Sequence, residues 1–131
     1  MTTLTEFLLA RIAEDEAVAQ KAGGDEWEYA AYCGAMQIQT VRVDGTLGYE
    51  QHLAITRDYE GLSDSVGEDA GPHIARHDPA RVLAECEAKQ RIVANHLRHS
   101  PGQSGYGASR YAAACLAMTY DHPDYQAEWM P

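Results

Sequence analysis

Residues 73–99, HIARHDPARVLAECEAKQRIVANHLRH, constrain this chain more than any other stretch. Asp78 followed by Pro79 is a helix start: an aspartate side chain accepts from the amides that a first turn leaves free, and proline has no amide to lose at the first helical position. Val82, Leu83, Cys86, Val93 and Leu97 then recur at steps of three, four and seven, which gives the helix one core face. A run of about 20 residues is roughly 30 Å long, enough to cross a small sheet. Arg98 and His99 suit the negative end of the helix dipole, and Ser100-Pro101-Gly102 stops the helix. Upstream, His73 and His77 fit a short helical turn that ends before Asp78-Pro79.

The flanking segments follow other periods. Thr3 and Glu6 have capping-box spacing at the start of a first helix. Leu4, Phe7, Leu8, Ile12 and Ala19 lie along one side of it, and Gly23-Gly24 stops it. Residues 27–59 change texture, with Met36 and Ile38, Val41 and Val43, and Tyr49 to Ile55 alternating at period two. That pattern predicts two or three antiparallel strands, with Asp44-Gly45 as a turn and Gly48 as a second bend. The second face of such a sheet is expected to be open. Residues 59–72 read as an irregular connection. A third helix is expected over 108–118, presenting Tyr111, Cys115 and Met118, and then a short helical turn with Trp129 folded back as an anchor. These elements predict one α+β domain over residues 1–131: a small antiparallel sheet of two or three strands packed against the long central helix and the N- and C-terminal helices.

Composition excludes whole classes of function. No segment approaches the roughly 20 apolar residues of a membrane span. Glu6, Arg11 and Glu14 interrupt the apolar residues of the opening, so no signal pattern is expected and the protein reads as cytoplasmic. Cys33, Cys86 and Cys115 are odd in number and far apart, which fits buried thiols rather than a disulfide framework or zinc knuckle. The net charge of −10 opposes phosphate backbones, but the charge is uneven. Residues 73–99 carry five basic against three acidic residues, +2, whereas the rest of the chain is −12. The central helix is therefore where an acidic partner, or the protein's own acidic segments, can dock.

Three clusters could carry chemistry. His73 and His77, four apart on one turn with Asp78 adjacent, have the spacing of a divalent-metal site, zinc being the natural ion. The residues between them are Ile74, Ala75 and Arg76, so the glutamate base of the metalloprotease HExxH pattern is missing. Packing and capping at a helix junction is the simpler use of these imidazoles. Glu14, Asp15 and Glu16 read as a solvated helical face whose most interesting use is ion pairing with Arg76, Arg81 or Arg91. Asp121-His122-Pro123-Asp124-Tyr125 sets an imidazole between two carboxylates, a general-base pattern, yet it reads more simply as a turn into a short terminal helix.

The blocks FLLARIAEDE, HIARHDPARVLAECEAKQRIV and YDHPDYQAEW together resemble a family of small actinobacterial and actinophage proteins of unknown function. That resemblance covers both ends and the central helix. It implies an intracellular accessory protein of phage or mobile-element origin, and it brings no catalytic or binding residues with it. The leading expectation is accordingly a non-enzymatic protein-binding or regulatory module, with Arg76, Arg81, Lys89 and Arg91 as the binding residues and an unidentified protein, in its most concrete form a host protein, as partner. Self-association is compatible with this, and no cofactor is expected. The alternative is a small metal-dependent hydrolase using His73, His77 and Asp78. Nucleic-acid binding along the Arg76–Arg98 helix ranks third, held down by the acidic balance.

Overall fold

The computed structural model describes residues 2–23, 25–32, 35–41, 47–54 and 68–131, with only the backbone described at Tyr32, Ala35 and 47–54. The expected Asp44-Gly45 turn, Cys33, Gly24 and the connection from 59 to 67 lie outside these residues. The elements run α1 (Leu4–Lys21), β1 (Trp27–Tyr32), β2 (Ala35–Val41), β3 (Leu47–Ala54), α2 (Ala70–Arg76), α3 (Pro79–Leu97) and α4 (Tyr106–Ala117), then a single 3₁₀ turn at Ala127–Trp129. The architecture is α+β. The chain divides into two compact units, one formed by Met1–Val18 with Ala84–Pro131 and the other by Ala19–Leu83.

The second unit holds the sheet, an antiparallel meander in the order β1-β2-β3. The β1–β2 ladder is regular from Trp27 opposite Thr40 to Tyr32 opposite Ala35. The β2–β3 ladder is not. Thr40 pairs with Gly48, whereas the preceding Gln39 pairs with His52, so extra residues of β3 are accommodated at this step. Gly48, expected to make a bend, is instead a paired strand residue beside a ladder irregularity, a common place for glycine.

Helix α2 packs on β1 and β2. Ile38 and Ala75 are its buried centre, with Trp27, Tyr29 and Ile74 around them. The helix starts at Ala70, earlier than the sequence pattern predicts, so Gly71 belongs to it and not to the preceding connection. Gly71 is what permits this approach: a Cβ there would lie under 3.0 Å from the Cδ2, Cε2 and Cζ atoms of the Tyr29 ring. The expectation of an open second sheet face is corrected at the middle of β2, where Gln37 and Gln39 are buried as well as Ile38. The two amides satisfy each other in part, Gln39 Nε2 donating to Gln37 Oε1 at 2.7 Å.

Asp78 organises the start of α3. Its Oδ1 accepts the Arg81 amide at 2.7 Å, a true N-cap, and its Oδ2 accepts the Trp27 amide at 3.1 Å. The Asp25 carbonyl accepts the Ala80 amide at 3.2 Å. One buried carboxylate therefore caps the helix and fixes the first residue of β1.

The first unit is helical. The capping box at its start is reciprocal: Glu6 Oε2 accepts the Thr3 amide at 2.8 Å, and Thr3 Oγ1 accepts the Glu6 amide at 3.2 Å. These bonds hold the Glu6 carboxyl below its ordinary pKa. Phe7 sits in an aromatic nest, with ring centroids 5.1 Å from Trp129, 6.1 Å from Tyr125 and 6.3 Å from Tyr120. Trp129 is buried, as the terminal-anchor pattern predicts. Helix α4 turns Ser109, Ala113, Ala114 and Ala117 inward and leaves Tyr111 and Met118 exposed. On α3, Cys86 and Val93 are buried, but the next inward residue is His96, 8% exposed, and not Leu97, 61% exposed. Three residues past Val93 is the better helical neighbour here, and Ser109 supplies the partner that makes an imidazole acceptable inside.

Candidate functional site

The residues singled out by sequence have mostly been used by the fold. Lys89 donates to the Tyr120 hydroxyl at 3.3 Å and lies 4.0 Å from Asp15, while Tyr120 donates to Asp15 at 3.1 Å. Burial first, and then the Asp15 charge, hold the Tyr120 phenol well above its ordinary pKa, so it stays a donor. Arg91 pairs with Glu87 one turn back at 2.6 Å. Arg76 and Arg81 are exposed, and Arg81 donates to the Arg76 carbonyl at 3.3 Å. The acidic run of α1 does answer α3, but through Lys89 on Asp15 and Gln90 on Glu16 at 3.4 Å, while Glu14 takes Arg11 at 2.8 Å. Lys89 and Gln90 follow Cys86 on its inward side at three and four residues, whereas Arg91 is turned to solvent.

The imidazoles divide in the same way. His73 and His77 are exposed neighbours with ring centroids 4.4 Å apart. His77 Nδ1 donates to the His73 carbonyl at 2.8 Å, and both oxygens of Asp78 are engaged by amides. Among the described residues no group of three or more His, Cys, Asp or Glu side chains is placed to hold a metal ion. His122 is held between the Asp124 amide, which donates to Nδ1 at 3.1 Å, and the Arg11 guanidinium, which contacts Nε2. It also stands edge-on to Phe7, so this ring is a packing element.

One concavity among the described residues lies in the helical unit. A groove of about 490 Å³ is lined by the start of α1 (Thr2 to Thr5), by His96 of α3, by Tyr106 and Arg110 of α4, and by Gln126, Glu128 and Trp129. Helix α4 enters it because Gly105, at φ +89°, turns the chain directly ahead of Tyr106. Gln126 ties the terminal segment back by donating to the Thr2 carbonyl at 3.3 Å.

His96 is the chemically defined member. The Ser109 hydroxyl donates to the Tyr106 carbonyl at 2.9 Å, so it accepts from His96 Nδ1, also at 2.9 Å. That fixes the proton of the neutral ring on Nδ1 and leaves Nε2 as an acceptor toward the groove. Burial, then the Arg110 charge, then His99, hold the pKa of His96 below its ordinary value. The ring is therefore neutral at physiological pH. Arg110 and Glu128 line the groove with neither in an ion pair among the described residues, which sets them apart from Arg11, Lys89 and Arg91.

Neither Ser109 nor Cys86 in this unit is a ready nucleophile. Ser109 is buried and spends its proton on a carbonyl. Cys86 is buried, and burial followed by the Asp15 charge pushes its thiol up, away from the reactive thiolate. No sequence pattern announces the groove, because its residues come from four separate segments; the one available signal is His96, three residues after a core valine.

Fold and site together define a small α+β protein that carries an open, polar groove in its helical unit. The chain belongs to the Family of unknown function (DUF6221), which matches it over residues 1–131. No curated protein and no solved structure matches it. No helix among the described residues is long and apolar enough to cross a membrane.

Proposed function

We propose that this chain is a non-enzymatic protein-binding module: a small acidic accessory protein of the cytoplasm, of phage or mobile-element type, that regulates a host protein by docking to it. The observation that carries the reading is the groove, whose Arg110 and Glu128 remain uncommitted among the described residues, where Arg11, Lys89 and Arg91 are paired internally. A half-buried guanidinium next to an aromatic wall is what a docking segment finds at an interface centre. This moves the binding surface from Arg76, Arg81, Lys89 and Arg91 to the groove, since Lys89 and Arg91 already have partners.

A photo-reactive side chain placed at position 126, on the groove, and a second one at position 87, on the exposed face of α3, test the reading in extracts of the native host. The expected result is a discrete cross-linked protein from position 126 alone, lost when Arg110→Glu is added. Equal labelling from both positions, or labelling indifferent to Arg110→Glu, overturns it.

A further inference from the structure

We propose that the groove captures a single carboxylate of its polypeptide partner on the Arg110 guanidinium, and that proton uptake at His96 tightens the grip. The inference rests on the binding reading above and names the chemistry of that site. Arg110 is the natural seat. Its guanidinium lines the groove and has no carboxylate partner among the described residues. A guanidinium presents paired N–H donors that match the two oxygens of a carboxylate.

Charge number selects between anions. Glu128 lines the same groove, and the Glu6 carboxylate already occupies the amide end of α1 through Thr3. The fixed negative charge of Glu128 on the groove disfavours a dianion such as phosphate more than a monoanion. A carboxylate, from an acidic side chain or from a chain end, is the better fit.

His96 sets the pH response. Nδ1 is committed to Ser109, so the neutral ring offers only the Nε2 lone pair, which does nothing for a carboxylate. Protonation converts Nε2 into a second donor and adds a charge to the seat. The groups that act on the ring or share its groove are Arg110 and Tyr106 from α4, His99 on its own helix and Glu128 from the terminal segment. Arg110 helps keep the free protein neutral at His96; a carboxylate bound to Arg110 cancels that effect, so binding and proton uptake favour each other.

The test is a titration of the isotope-labelled full chain, followed at the His96 ring and the Arg110 side chain by NMR, at pH 5.5 and 7.5. The probes are N-acetyl Gly-Glu-Gly amide, N-acetyl Gly-Gly-Gly with a free terminus, the neutral N-acetyl Gly-Gln-Gly amide, and inorganic phosphate. One or both carboxylate peptides should bind, about fivefold tighter at pH 5.5, and the responding one identifies the source. Arg110→Gln should weaken binding roughly tenfold. His96→Gln should abolish the pH dependence while the Arg110 dependence persists. Equal binding of the neutral peptide, tighter binding of phosphate, or the same carboxylate affinity at both pH values overturns the inference. If the position-126 cross-link forms while neither carboxylate perturbs Arg110, the inference falls and the protein-binding reading stands. Carboxylate binding without any cross-link upholds the Arg110 seat and removes the host-protein reading.

Discussion

Replacing Asp78 by alanine removes two bonds with one change, and their separate sizes can be worked out. Loss of the N-cap to the Arg81 amide costs about 1 kcal/mol. The Trp27 amide, which also ends on this carboxylate, is left unsatisfied beside a residue only 9% exposed, and an orphaned buried donor costs about 1–3 kcal/mol. Together the loss is roughly 2–4 kcal/mol, or about 7–14 °C in Tm for a chain of this length. Asp78→Ser separates the parts, since a short hydroxyl restores the cap and not the second bond. Urea denaturation should place Asp78→Ser about 1 kcal/mol above Asp78→Ala, and amide exchange at Trp27 should accelerate in both. A loss below about 0.5 kcal/mol for Asp78→Ala, the scale of an ordinary surface change, refutes the double role. So does protection at Trp27 that survives both substitutions.

Phe7→Ala should cost about 3–5 kcal/mol by urea denaturation, because the ring is 1% exposed and centres the Trp129 and Tyr125 contacts. Gly71→Ala should cost about 1–3 kcal/mol, since the added methyl meets the Tyr29 ring, whereas Gly107→Ala, where a Cβ meets nothing within 4 Å, should be neutral or stabilising in the same assay. His96 is held neutral by burial, so the unfolded chain takes up its proton first as pH falls. The contribution is complete above the ordinary value of 6.5 and is lost progressively as pH drops below it, and His96→Gln should flatten that part of a stability-against-pH curve. Zinc added to the intact chain should bind no more tightly than to a His73→Ala, Asp78→Asn double variant if Asp78 is spent on amides; calorimetry decides.

Local signals in this chain were legible wherever a single segment settles its own geometry. Thr3 and Glu6 cap α1 because the two partners are three residues apart and need nothing else. Asp78-Pro79 starts α3 for the same reason, but the second bond of Asp78 reaches back 51 residues to Trp27, and no periodicity announces that. Leu97 shows the limit from the other side: hydrophobicity favoured it for the core, yet one step of helical phase and the Ser109 hydroxyl gave the place to His96. The strands were readable from β-branched and aromatic alternation, while the shift between Gln39 and Thr40 was not, since register depends on the partner strand. The groove was the least legible part, assembled from both ends of the chain together with α3 and α4.

The uneven charge of the sequence takes a different meaning once its partners are counted. The excess of basic residues over 73–99 first suggests that the central helix meets an acidic partner. Lys89 answers Asp15 and Tyr120, and Arg91 answers Glu87, so much of that excess is consumed internally. Arg110, outside the basic stretch and unremarkable in sequence, is a cation that the described residues leave unpaired and facing a concavity. A charge contributes to recognition in proportion to how little the fold has already neutralised it, and a partly desolvated, unpaired guanidinium is worth more to a ligand than several solvated ones. For a chain this acidic, binding residues are therefore better sought among the cations the fold has left unpaired than where the sequence concentrates them.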